Sequence, residues 1–406
     1  MTSSVIQNGP IQGTKVLELS HVMAGPTCAR ILADLGAEVI KLERLEGEDS
    51  RRMAPPWQGD EAAGFLMLNR NKRGLAVNLK DGRGKEIVRR LVRDCDIVVE
   101  NFRKGTLDRL ELGYEELSRI NPGLIFCEIS GYGRTGPYAD KGGFDVVAQA
   151  MAGVLSVTGE QEGRPPVKAG VPVADIGAGM YGVIGILAAL IRRRETGRGQ
   201  RVDTSLLEAA ASFMTWPAAS YYADGSIAKP MGTAHPLDAP YQAFQASDGW
   251  FIVGAANQAN WLRMVTVIGA EHLAEDPRFL ENPDRVENLQ ELVSALSEIF
   301  LEKTKAEWIE LLDSAGVPTG PINSIEEMLN NPQIIDRGMV RTVKHSTLGS
   351  IKTLGLPIRF SQTPSEFERG APTLGEHTNE ILSDIGYSSS ELEALVEHGV
   401  VVAFDH

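Results

Sequence analysis

Asp175 is the side chain with the clearest chemical potential. It stands in the run Val171-Pro-Val-Ala-Asp-Ile-Gly-Ala-Gly-Met180, directly before a long apolar stretch. Asp is a preferred helix N-cap, and capping alone would account for it. The same place suits a nucleophile. The positive end of a helix dipole favours the ionised carboxylate, and an ionised carboxylate can attack an activated carbonyl. Gly177 and Gly179 follow within one turn, each at a cost of about 1 kcal/mol in helix propensity relative to Ala. Close approach of a bulky ligand would explain that cost, with open N–H groups stabilising an oxyanion; so would tight helix packing.

A second set is cationic: Arg44, Lys72, Arg73, Lys104 and Arg109. They fall at or just after segments that read as strands, and doubly wound sheets bind ligands at strand ends. Charges from several chain positions suit a small, multiply phosphorylated ligand, because Arg and Lys pair with phosphate; a solvated surface face is the other reading. No GxGxxG follows the first strand, which disfavours a dinucleotide-dependent dehydrogenase. GxxxxGK[ST] and GxSxG are missing too. His21 and His235 sit in Gly/Pro-rich contexts and read as structural hydrogen-bonding residues.

The elements that must position these side chains alternate. Lys15–Leu19 reads as a strand, Thr27–Leu35 as a helix and Glu38–Leu42 as a strand. Lys85–Arg93 is helical, Asp96–Glu100 a strand, Tyr114–Ile120 helical and Leu124–Ile129 a strand. This rhythm predicts a doubly wound, mostly parallel α/β sheet. A Gly-rich loop, Gly131–Gly143, precedes two apolar helices, Phe144–Ser156 and Ile176–Arg194, and a strand at Arg201–Thr204. Trp216–Tyr241 has little periodicity and reads as a crossing linker. Trp250–Ala255 is a strand, and Asn260–Leu312 carries amphipathic helices. The expected division is 1–215 for the first part of a large domain, 216–241 a linker, 242–325 a smaller α+β domain, and 326–406 a linker with a return to the large domain.

Composition narrows the function. The 406 residues are 43% hydrophobic and 23% charged, an ordinary globular mix. Net charge is 40 − 54 = −14, which repels phosphate polymers and argues against a nucleic-acid partner. Three cysteines without CxxC spacing and seven scattered histidines give no metal cage and fit a reducing compartment. Met1–Gly13 has neither the basic start nor the apolar centre of a signal peptide, so a cytoplasmic location is expected. The longest apolar run, Ile176–Ile191, is 16 residues, short of the ~20 that span a bilayer; no membrane association is expected.

Read in order, the motifs resemble those of the family III CoA-transferases, which include formyl-CoA transferases, succinyl-CoA:dicarboxylate transferases and α-methylacyl-CoA racemase. The resemblance runs from about Gly13 to Val401. It is carried by His21-Val-Met-Ala-Gly-Pro26, Leu35-Gly-Ala-Glu-Val-Ile-Lys-Leu-Glu43, Asn69-Arg-Asn-Lys-Arg73, Val99-Glu-Asn-Phe102 and Leu107-Asp-Arg109. Further matches are Gly143-Phe-Asp145, Val173-Ala-Asp175, Thr196-Gly-Arg-Gly-Gln200, Gly316-Val-Pro-Thr-Gly-Pro321 and Leu374-Gly-Glu-His-Thr378. Each is weak alone; order and spacing make them specific.

The resemblance implies a Rossmann-like large domain, a small domain and an interlocked homodimer. It implies that Asp175 attacks an acyl-CoA thioester, with a mixed anhydride and an aspartyl-CoA thioester as intermediates. CoA would be a substrate, with no permanently bound cofactor and no metal. CoA-binding positions carry over to Arg44, Lys72, Asn101, Phe102 and Arg109, with Met23, Lys141 and Asp145 near the site. Arg and Lys would hold phosphates, Phe102 would pack the adenine or pantetheine, and Asn101 would add a polar contact. Racemases of the family carry His where this chain has Phe144, and Phe cannot transfer a proton. The formyl-CoA:oxalate enzymes carry a glycine run where this chain reads Thr233-Ala-His-Pro-Leu-Asp-Ala-Pro-Tyr241, and Gln in place of Met23. A short dicarboxylate is therefore the expected acceptor, with Arg51 or Arg52 as the candidate partner of its remote carboxylate. A racemase-type epimerase and a non-catalytic CoA-binding protein are the competing readings.

Overall fold

The structure is a computed structural model that describes residues 8–367 and 369–404. Residues 1–7, the start of the segment read above as no signal peptide, lie outside the described residues. The chain forms two compact units.

The larger unit comprises the described residues up to Val154, then Lys168–Ala218, then Pro332 onward. Its sheet has seven strands. These are β1 (Lys15–Leu19), β2 (Glu38–Glu43), β3 (Lys72–Val77), β4 (Ile97–Glu100), β5 (Ile125–Ser130), β6 (Arg201–Ser205) and β7 (Val401–Val402), in the order β7-β3-β2-β1-β4-β5-β6. All neighbours run parallel except β7, which pairs antiparallel with β3. Helices used below are α1 (Ala24–Asp34), α2 (Gly82–Arg93), α3 (Tyr114–Ile120), α4 (Asp145–Met151), α5 (Val173–Thr196) and α6 (Leu206–Ser212).

Both faces of the sheet are covered, as a parallel sheet requires. Val16, Val39, Ile97, Val99 and Ile125 pack with Cys28, Leu32, Ala178 and Ile186 of α1 and α5. On the other face Leu17, Leu42, Leu75, Val98 and Phe126 pack with Ile87, Val88 and Leu91 of α2 and Leu117 of α3. Strand order reverses beside β1: β2 and β3 lie to one side, and the chain returns to place β4 on the other. The crevice at the carboxyl ends of β1 and β4 is thus the topological switch point, where such sheets bind ligands.

The smaller unit comprises Leu155–Val167 and Ala219–Asn331. A three-stranded antiparallel sheet (Tyr241–Ala246, Gly249–Gly254 and Thr319–Pro321) is backed by helices. Its core is aromatic: Phe244, Phe251, Trp261, Phe300 and Trp308 are all buried.

Two expectations are corrected. The sequence reading assigned no strand between Leu42 and Asp96, yet β3 occupies Lys72–Val77; its polar Lys-Arg-Gly opening hid it. The proposed linker begins as a helix, Thr215–Asp224. Pro217 is tolerated in its first turn, where no intrahelical N–H is needed. Trp216 and Tyr222 stay 71% and 85% exposed, so no buried stripe marked the helix. Helix α5 is also longer than the apolar run inside it: 24 residues, apolar and long enough to cross a membrane by those criteria. Here its buried side packs on α1, β5, β6 and α6.

Candidate active site

Asp175 does not precede α5 as its N-cap; it is the third residue of the helix, and its side chain caps nothing. The cap comes from α4: Asp145 Oδ1 accepts the N–H groups of Ala174 (2.9 Å) and Asp175 (3.2 Å). Gln149, one turn along α4, donates to Asp145 Oδ2 (2.5 Å) and accepts the Ala169 N–H (3.0 Å), so one side-chain pair fixes the approach to α5. The Asp175 carboxylate itself makes no hydrogen bond or ion pair among the described residues. Burial, and after it the nearby Asp145 charge, push its carboxyl up to about 7. The expectation of a low, dipole-stabilised pKa is corrected: removal from water and a like charge outweigh the helix dipole.

The glycines place this carboxylate. A Cβ on Gly179 would lie 2.8 Å from the Ala24 carbonyl oxygen, and one on Gly182 would lie 3.2 Å from Cys28 Sγ. Positions therefore advance together along α1 and α5, and the two helices run parallel. Residues four apart share a helix face. Asp175 stands one turn back from Gly179, which abuts Ala24, the first residue of α1. A Cβ on Gly177 would meet Phe213 at 2.6 Å, and one on Gly185 would meet Val202 at 2.5 Å. The helix glycines thus serve close helix packing, and the ligand-approach reading is not needed for them. Since α1 starts at the carboxyl edge of the sheet, so does α5, and Asp175 sits at that edge.

Two loops meet at the switch point. Asn101 accepts the His21 N–H (2.9 Å) and donates to the His21 carbonyl (2.8 Å), tying the loop after β4 to the loop after β1. The Phe102 ring stacks on His21 with centroids 5.6 Å apart. Glu100 accepts the Phe102 N–H (2.7 Å) and Arg134 donates to the Phe102 carbonyl (2.9 Å), fixing that residue's backbone at both ends. Burial pushes the Glu100 carboxyl up to about 7, with the Arg134 guanidinium opposing it and Glu128 adding to it. Met23 is half-buried at the start of α1 and its carbonyl accepts the Thr27 N–H.

The predicted cations divide sharply. Arg44 is 53% exposed and bonds to Asp49 and the Gly47 carbonyl. Lys104 and Arg109 are exposed, and the Arg109 side chain donates to Thr106. Lys141 is exposed over the Tyr138 ring. Arg103, which the sequence reading passed over, is exposed in the same loop as Lys104; its position after a strand end was the available signal. Lys72 is corrected: it is fully buried, with Nζ 2.7 Å from Glu18, 2.8 Å from Asn69 Oδ1 and 3.2 Å from the Pro26 carbonyl. All three ammonium protons are directed inward, and none remains for a phosphate. Burial pulls its pKa down to about 8 against the pull of Glu18. Arg73 is engaged by Glu38, Glu380 and Asp384. Asn101 commits both ends of its amide to His21, so it shapes the wall instead of offering a free polar group. Arg51 is bonded to Glu43, Glu61 and the Pro372 carbonyl, which removes it as partner for an acceptor carboxylate. Its neighbour Arg52 is exposed and donates to the Glu46 carbonyl.

One consequence can be measured here. In Asp145→Asn the amide oxygen still caps α5, but the like charge is gone, so the Asp175 pKa falls. The acid limb of kcat/KM against pH, expected near 7 in the wild type, should move down. An unmoved limb would mean that Asp145 does not set it.

A doubly wound sheet with an unpaired carboxylate and several exposed cations at its carboxyl edge defines an α/β enzyme for an anionic substrate. The chain belongs to CoA-transferase family III, whose model matches residues 11–378; enzymes of this family use CoA thioesters as substrates. It is 41% identical to an acyl-CoA transferase of Fusarium pseudograminearum over 99% of this chain and 90% of that protein. It is 39% identical to the succinyl-CoA:glutarate CoA-transferase of Mus musculus over 97% of this chain and 90% of that one. A CAIB/BAIF family protein from Brucella suis, 41% identical, superposes with a TM-score of 0.85 over 93% of this chain and all of its own (100%).

Proposed function

We propose that the protein moves CoA from an acyl-CoA to a short dicarboxylic acid, with Asp175 as nucleophile. The observation that carries this reading is the unpaired Asp175 carboxylate, half-buried in the first turn of α5, one turn from the contact of Gly179 with the start of α1. Asp175 attacks the thioester carbonyl; the C–O bond forms, the C–S bond breaks, and CoA leaves as thiolate. The thiolate then attacks the Asp175 acyl carbon of the mixed anhydride, releasing the donor acid and leaving an aspartyl-CoA thioester. The acceptor carboxylate attacks the aspartyl-CoA carbonyl, the second step in reverse: a C–O bond forms, the C–S bond breaks, and CoA leaves as thiolate from a second mixed anhydride. The thiolate then attacks the acceptor acyl carbon, the first step in reverse, giving the acceptor's CoA thioester and freeing the Asp175 carboxylate. No net proton is consumed. A carboxylate with pKa about 7 is more nucleophilic than a solvated one yet substantially ionised at neutral pH.

Arg44, Arg103, Lys104 and Arg109, exposed after β2 and β4, would hold the CoA phosphates, and Phe102 with His21 would be the flat surface for the adenine or pantetheine. Asn101 and Met23 shape this wall, and Lys141 approaches from the loop after β5. Succinyl-CoA:glutarate transfer by a relative supports a dicarboxylate acceptor, and CoA is substrate with no resident cofactor. Phe144 in place of a basic residue disfavours racemase chemistry. A panel of mono- and dicarboxylic acids with succinyl-CoA as donor, read by the mass of the new thioester, tests the acceptor class. Hydroxylamine trapping tests the nucleophile: a hydroxamate at Asp175 supports it, and one elsewhere overturns it.

A homodimer belongs to the same reading. Helix α5 leaves Met180, Ile184 and Ile191 exposed, and Trp216 and Tyr222 stand out nearby in sequence; a monomer rarely leaves so many large apolar side chains in water. Light scattering at micromolar concentration should return twice the chain mass, and a monomer mass would refute the pairing.

A further inference from the structure

We propose that Glu48 is a positioning residue for the transfer reaction: it holds Val22 in a strained backbone conformation and so sets the entry to α1, whose first residue packs against α5 one turn from Asp175. This rests on the reading of Asp175 as nucleophile.

Val22 has φ +64°. A β-branched residue in the left-handed region is a genuine outlier and persists only where its surroundings impose it. The surroundings here are unusually complete. Glu48 Oε2 accepts the Val22 N–H at 3.0 Å. Glu48 is buried, and its orientation is fixed by the N–H (3.0 Å) and hydroxyl (2.7 Å) of Ser50. Lys41 Nζ lies 3.3 Å from Glu48 and also bonds to Glu18 and the Ser20 carbonyl. Lys72 closes the chain on the other side of Glu18. A buried series Lys72–Glu18–Lys41–Glu48 therefore runs beneath the end of β1, and its last member grips Val22. With Asn101 on His21, each residue from Ser20 to Val22 has a backbone group held by a side chain from another segment.

The purpose of this strain is readable from the parallel packing of α1 and α5. Met23 and Ala24 follow Val22 directly, and Ala24 abuts Gly179, one turn from Asp175. If Val22 relaxed to negative φ, the start of α1, which packs against α5 one turn from Asp175, would shift. Interactions that fix reacting geometry typically govern turnover more than affinity. The phosphates would be held elsewhere, by the cations after β2 and β4.

The test is a double-mutant cycle on the full-length enzyme. Glu48→Ala should lower kcat roughly 10- to 100-fold, with KM for the acyl-CoA changed less than about 3-fold. In a Val22→Gly background the same substitution should cost less than about 3-fold, because glycine has no bias against positive φ. Glu48→Gln, which keeps an acceptor for Val22 and is the gentler substitution should Glu48→Ala not fold, should retain kcat within about 3-fold of the wild type. The proposal is overturned by wild-type turnover in Glu48→Ala, by an equal loss in the wild-type and Val22→Gly backgrounds, or by collapse of kcat in a folded Glu48→Gln. Trapping on the wild type separates this from the reading it rests on: a hydroxamate at Asp175 with a fully active Glu48→Ala refutes only the positioning role, whereas one at another residue refutes the nucleophile.

Discussion

Asp175→Asn should abolish CoA transfer and at the same time make the protein more stable at alkaline pH. Loss of a covalent nucleophile typically lowers kcat by about 10^4-fold or more, and the amide cannot form the anhydride. The stability gain follows from the raised pKa. Folding lifts the Asp175 carboxyl from an ordinary 3.8 to about 7, chiefly by burial. The folded state therefore holds this proton more tightly than the unfolded chain does. The favourable contribution is complete below the unfolded pKa and is lost as pH rises through 7. Above that, wild-type protein carries a half-buried, unpaired negative charge and Asp175→Asn does not. The difference is on the order of 2–4 kcal/mol at about pH 8 and near zero at about pH 4. Urea unfolding at both pH values checks it; equal stability at the higher pH would mean that the carboxyl is not strained by its surroundings. A loss of activity accompanied by a gain in stability would mark a group kept for chemistry.

Lys72→Met should show the opposite pattern. Sequence position alone suggests a phosphate ligand, so its removal would raise KM for the acyl-CoA at least ~10-fold. The buried geometry predicts a structural loss instead: among the described residues Glu18 keeps only Lys41 as cationic partner, and breaking a buried ion pair costs about 3 kcal/mol. The expected result is a lower denaturation midpoint with KM unchanged within about 2-fold. A raised KM in a protein of undiminished stability would return Lys72 to the phosphate site.

These contrasts show where the sequence is informative. The strand–helix rhythm from Lys15 to Ile129 is legible because buried parallel strands are short apolar runs and their helices are punctuated by Gly and Asn-Pro. β3 escaped because it opens on polar residues; Lys72 is buried there because its long side chain reaches Glu18 on β1, two strands away. The helix at Thr215–Asp224 escaped because helical periodicity is a record of one-sided burial, and this helix leaves its aromatics exposed.

The residue types and their order determined the family, the nucleophile candidate and the strand ends at which ligand-binding groups would lie, because those depend on local chemistry and on a pattern repeated along the chain. Which cations face outward was decided only in three dimensions. Lys72 and Arg44 look alike in a row of letters, but one meets a carboxylate inside the sheet and the other meets solvent. The acidity of Asp175 was likewise decided by folding: dipole, burial and a neighbouring carboxylate pull in different directions, and their balance depends on distances that no linear spacing encodes.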